Sequence, residues 1–151
     1  MNTIWKILSG IGLLLVIVFA GSIGKIIGKT TVDRFVEGKN EGALDSVLIK
    51  AASKINANLP MMVDSETRLD STIGINKEFR YNYTLINYSA NEIDPKAIVD
   101  AMQDKLINNV CTSKDMAIFV KNSIPVTYAY FGKNGKEIAV ITISPSQCKS
   151  S

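Results

Sequence analysis

The chain has 151 residues, 46% of them hydrophobic, with 17 Lys and Arg against 14 Asp and Glu and a formal charge of +3. That length holds one ordinary domain, and the balance excludes a highly charged disordered chain. Histidine is absent, which excludes His-based acid–base catalysis and His-ligated metals; two cysteines are too few for a thiolate-built zinc or iron–sulfur centre.

Residues 7–24 carry no charge and consist of Ile, Leu, Val, Phe, Ala, Gly and Ser. A helix needs about 20 apolar residues to cross the hydrocarbon core. Residues 4–27 supply that length, with Trp5 as an interfacial anchor and Lys6 and Lys25 able to snorkel. The run therefore predicts a transmembrane signal-anchor over residues 1–28. A competing reading is a signal peptide cleaved after Ala20, which would release a soluble secreted inhibitor or effector. The apolar run continues through Ile23, Ile26 and Ile27, which favours the uncleaved anchor. Ala20, Gly24 and Gly28 form a small-residue row through which membrane helices pack closely.

Orientation is contested. Lys25, Lys29 and Arg34 follow the apolar run and argue for a cytoplasmic domain under the positive-inside rule. The very short leading tail and the cysteine pair argue for export, which is the reading adopted: a single-pass inner-membrane protein with its C-terminal domain in the periplasm or outside. No basic stripe with interleaved aromatics occurs, so nucleic acid is not an expected partner.

Residues 29–43 read as a polar connector broken by Gly38, Asn40 and Gly42, and residues 44–151 as the exported domain. Leu44, Val47, Leu48, Ala51, Ala52, Ile55 and Leu59 recur at helical spacing and predict an amphipathic helix ended by Asn58 and Pro60. The period then changes to two. Residues 62–69 and 78–88 predict a hairpin, with residues 70–77 turning the chain at Ser71, Gly74 and Asn76. Phe79, Tyr81, Tyr83 and Leu85 share one face of the second strand.

Asp94 and Pro95 start a second helix with Ile98, Ala101, Met102, Leu106 and Val110 facing inward. Ser113 caps a short third helix carrying Met116, Phe119 and Val120. A second hairpin follows over residues 126–131 and 137–144. Its Asn134-Gly135 pair favours a type I′ turn, and residues 138–143 are apolar on both faces, as in a central strand. The order predicts an α+β fold: about three helices and an antiparallel sheet of about four strands built from two hairpins.

Cys111 closes the second helix and Cys148 follows the last strand. Joined, they pin the C-terminal tail and stabilise the domain by roughly 3–4 kcal/mol through loop closure. The even count in an exported domain supports that disulfide.

No GxSxG or SxxK frame marks a catalytic nucleophile. Asp64, Glu66 and Asp70 form an acidic patch without a regular cation-binding loop, so neither metal nor cofactor is expected. Tyr81, Tyr83, Tyr128 and Tyr130 pack against the helices or else dress an interface. The expectation is a membrane-anchored accessory protein that binds another protein, or its own copy, in a bacterial envelope system for assembly, exclusion or secretion. A small periplasmic enzyme using carboxylate chemistry is the alternative, favoured if two carboxylates share a pocket.

Overall fold

The structure is a computed structural model that describes residues 41–148. The expected membrane anchor, its Ala20, Gly24 and Gly28 row and residues 29–40 of the connector lie outside the described residues. Within them no helix is long and apolar enough to cross a membrane.

Among the described residues three α-helices and five strands follow one another: α1 (Glu41–Asn56), β1 (Met61–Met62), β2 (Thr67–Ile75), β3 (Glu78–Leu85), α2 (Pro95–Thr112), α3 (Ala117–Lys121), β4 (Val126–Gly132) and β5 (Glu137–Ile143). Short 3-10 turns cover Ala90–Glu92 and Pro145–Gln147. The strands form one sheet in the order β1-β2-β3-β4-β5.

The sheet is mixed, which corrects the antiparallel expectation. β3 and β4 run parallel, with Tyr81 beside Tyr128 and Tyr83 beside Tyr130. The other neighbouring pairs are antiparallel. Two hairpins placed side by side can meet in either sense. Here α2 and α3 carry the chain back across the sheet, and such a crossover brings in the next strand parallel.

The first hairpin is also longer than its turn-forming residues suggest. β2 continues to Ile75, and only Asn76 and Lys77 turn, both at positive φ. Gly74 is not a turn residue. It sits under α1 so closely that a Cβ there would lie 2.4 Å from the Leu48 carbonyl oxygen. Residues 63–66 form a loop in place of strand, because the Asp64 carboxylate accepts the N–H groups of Glu66 and Thr67.

The second hairpin differs in its turn. Gly135 alone has positive φ, at 72°, and the Gly132 N–H donates to the Lys136 carbonyl. This is a three-residue loop closed by a left-handed glycine rather than a type I′ turn. β5 is an edge strand, not a central one; its apolar Val140 lies on the exposed side.

All three helices cover one face of the sheet. Leu48, Ala51, Ala52 and Ile55 of α1 lie over β2, and the Thr72 hydroxyl donates to the Ala52 carbonyl. Ile98, Met102, Leu106 and Val110 recur every turn of α2 and pack toward Ala139, Ile141 and Ile143 of β5. Phe119 of α3 meets Phe79 at 5.3 Å between ring centroids. Asp94 caps α2 by accepting the Lys96 N–H, with Pro95 in the first turn.

Candidate functional site

Alternation along β3 and β4 sends Tyr81, Tyr83, Tyr128 and Tyr130 to the helix-covered face. Parallel pairing then sets them in two adjacent pairs. Tyr81 stacks on Tyr128 at 5.4 Å, Tyr83 on Tyr130 at 5.5 Å, and Tyr81 lies 6.2 Å from Tyr83. All four are between 3% and 9% exposed, so they build the core and do not form an outer interface. Burial pushes every one of these phenols well above its ordinary range. They remain neutral at physiological pH and supply neither charge nor base.

The opposite face of the sheet is polar and half-exposed. Arg68 pairs with Asp70, and Asp70 also accepts the Thr84 hydroxyl. Asn82 donates to Ser71 at 3.0 Å and accepts from Arg80 at 2.9 Å; the same guanidinium reaches Glu137 at 3.4 Å. The Thr127 and Thr142 hydroxyls meet at 2.8 Å. These bonds tie β2, β3, β4 and β5 together side chain to side chain. Because the groups satisfy one another, the face presents little unpaired chemistry to a substrate.

The third surface is the sheet edge at β1 and β2. Asp45, Ile49 and Asn56 lie on one flank of α1, at spacings of four and seven residues. Asp45 accepts the Lys77 N–H at 2.8 Å, and the Asn56 amide pairs with both main-chain groups of Thr72. Between them Ile49 stands exposed. Met61, Met62, Ile73 and Ile75 are exposed on the adjoining strands. Of the six exposed large apolar side chains among the described residues, only Val140 lies elsewhere. Sequence reading missed this edge because it assigned Ile73 and Ile75 to a turn.

The Asp64–Glu66 loop holds two carboxylate oxygens, Asp64 Oδ2 and Glu66 Oε2, that are buried without a protein partner. Glu66 interacts with the Tyr88 hydroxyl. Among the described residues no three His, Cys, Asp or Glu side chains converge as a metal would require. Asp70, grouped with them in sequence, is engaged by Arg68 and Thr84 on the polar face.

Cys111 and Cys148 form a disulfide across a sequence separation of 37, and no free cysteine is present. The bridge joins the last turn of α2 to the 3-10 turn that follows β5.

Together these features define a small two-layer α+β domain with three helices on one face of a five-stranded mixed sheet. The chain belongs to the family described as Domain of unknown function (DUF8479), whose model matches residues 43–140. No curated protein matches it. Three solved structures share the fold. A candidate secreted protein of Pseudomonas aeruginosa is similar at 13% identity, with a TM-score of 0.64 over 74% of this chain and 98% of that one. The pilotin EpsS of the Vibrio vulnificus type 2 secretion system is similar at 10% identity and a TM-score of 0.58, over 74% and 96% of the two chains. The type II secretion system pilotin AspS of Vibrio cholerae is similar at 12% identity and a TM-score of 0.53, over 72% and 94%.

Proposed function

We propose that this protein is an accessory factor of a bacterial envelope system, held in the inner membrane by residues 4–27, whose exported domain binds another protein. The observation that carries this reading is the fold. Over nearly the whole length of two secretion-system pilotins, the domain has the same architecture. At such low identity the likeness carries no residue roles, so the partner is inferred as a class: a protein of an assembly or secretion apparatus. The Cys111–Cys148 bridge supports an oxidising compartment, and therefore the exported orientation.

The test is cross-linking of the full chain in its native membrane, followed by identification of what is recovered. A component of an envelope assembly, enriched over a chain lacking residues 41–148, is the expected result. Recovery of nothing beyond the protein itself overturns the hetero-partner reading and points to a homo-oligomer. Two freely alkylated cysteines in protein taken directly from cells overturn the exported orientation.

A further inference from the structure

We propose that the β1/β2 edge of the domain rests on the lipid bilayer surface, with Ile49, Met61, Met62, Ile73 and Ile75 at the boundary between headgroups and acyl chains. The inference rests on the reading of residues 4–27 as a membrane anchor. Three observations support it.

First, the exposed apolar side chains are concentrated along this edge. Ile49, Ile73 and Ile75 are each about half exposed, at 50%, 47% and 48%. Ile49 projects from α1 on one side of the edge strand, while Ile73 and Ile75 project from the polar face on the other. A surface laid against the edge touches both. Contiguous apolar exposure of this kind marks an interaction surface rather than an ordinary scatter of surface residues.

Second, the chain enters the domain at this same edge. α1 begins at Glu41, one turn before Asp45, and Asp45 is bonded to Lys77 in the β2–β3 turn beside Ile75. The forty residues that precede Glu41 contain the uncharged run at 7–24. The tether to the bilayer therefore joins the domain at the end of α1 that is bonded to the β2–β3 turn, next to Ile75 and two turns before Ile49. A short tether gives a high effective concentration, so a patch too small to bind lipid by itself can still settle on the membrane.

Third, α1 side chains already occupy main-chain groups of Thr72 in β2 and of Lys77 in the adjoining turn. Asn56 pairs with both the N–H and C=O of Thr72, and Asp45 takes the N–H of Lys77. An edge made to receive a partner strand would leave those groups open, because such recognition works through main-chain hydrogen bonds. An edge facing a poorly hydrated, apolar layer must have them paired. The Asn56 and Asp45 bonds fit lipid better than an added strand.

The test uses the full chain in vesicles of phosphatidylethanolamine and phosphatidylglycerol that contain a lipid with a photoreactive group near its headgroup. After irradiation, labelled peptides are mapped by mass spectrometry. Labelling is expected at residues 7–24, as the anchor requires, and also on the peptides holding Ile49, Met61–Met62 and Ile73–Ile75, several-fold above the α2 and β4 peptides. In the double variant Ile49→Glu with Ile75→Glu, domain labelling falls several-fold, labelling of 7–24 is unchanged, and the intact disulfide reports a native fold. Labelling of 7–24 with the domain unlabelled or evenly labelled overturns the proposal, as does capture of the edge by a protein in place of lipid. If 7–24 is unlabelled while the edge is labelled, the anchor reading fails and the lipid contact stands.

Discussion

The side-chain amide of Asn56 is bonded to Thr72 like one residue of a missing strand: Nδ2 donates to the Thr72 carbonyl at 2.8 Å, and Oδ1 accepts the Thr72 N–H at 2.7 Å. The Thr72 hydroxyl lies 3.0 Å from the same oxygen. β1 covers only Arg68 and Leu69 of β2, and beyond it Asn56 of α1 takes the place of a strand at Thr72. Asn56→Ala leaves both main-chain groups without their partner and is expected to cost roughly 1–3 kcal/mol. Asn56→Asp keeps the acceptor but sets a carboxylate against the Thr72 carbonyl. That variant should be less stable than Asn56→Ala at neutral pH. It should recover as acid protonates the carboxyl and restores a donor. Urea denaturation at two pH values, with exchange of the Thr72 amide, reads both effects.

Gly74 shows a different coupling of α1 to β2. An added Cβ would meet the Leu48 carbonyl oxygen at 2.4 Å and its carbonyl carbon at 2.6 Å. Main-chain atoms of a packed helix cannot yield as a flexible side chain can. Gly74→Ala is therefore expected to lift α1 from the sheet and cost about 1–3 kcal/mol or more. Hydrogen exchange should show the loss concentrated in the amides of α1, with α2 nearly unaffected. Equal loss across both helices would contradict the local account.

Those two contacts explain which parts of the fold were legible in the sequence. Ile98, Met102, Leu106 and Val110 announce α2 because one helix face packs on one sheet face and their spacing is local. Phe79, Tyr81, Tyr83 and Leu85 announce β3 for the same reason. Gly74 and Ser71 misled because their roles are tertiary: one admits α1 and the other bonds Asn82 on the neighbouring strand. The parallel pairing of β3 and β4 was hidden because each hairpin is consistent by itself, and only the α2–α3 crossover decides how they join. The apolar edge was hidden with it, since Ile73 and Ile75 count as exposed strand residues only after β2 reaches Ile75. The tyrosines were visible as a group, but their alternation alone does not say which face the helices cover.

The disulfide holds the C-terminal 3-10 turn against α2, and its partners lie 37 residues apart. Most of its expected effect comes from restricting the unfolded chain, about 4 kcal/mol for a loop of this length by the chain-entropy estimate. Cys111→Ser with Cys148→Ser should lower the unfolding free energy by that order while preserving the sheet, because Val110 and Ile143 on either side remain buried. Chemical denaturation of the oxidised and double-serine forms measures the difference. A change well below 1 kcal/mol would show that the tail contributes through native contacts that survive without the bridge.

The stacked tyrosines give the domain a defined alkaline limit. Burial raises the phenols of Tyr81, Tyr83, Tyr128 and Tyr130 well above the ordinary value near 10. In the unfolded chain each loses its proton as pH passes about 10; in the folded domain each retains it. The unfolded state then binds fewer protons than the native state, so stability falls as pH rises. The contribution is fully present below pH of about 10 and is lost progressively above it, at up to about 1.4 kcal/mol per pH unit for each tyrosine that stays protonated. Four such groups titrating together should give a cooperative transition in which phenolate absorbance and loss of secondary structure coincide. Tyr83→Phe with Tyr130→Phe removes two titrating groups while keeping their stacked rings, and should make that pH dependence shallower. A gradual phenolate titration at an ordinary pH, with the fold intact, would contradict the buried arrangement.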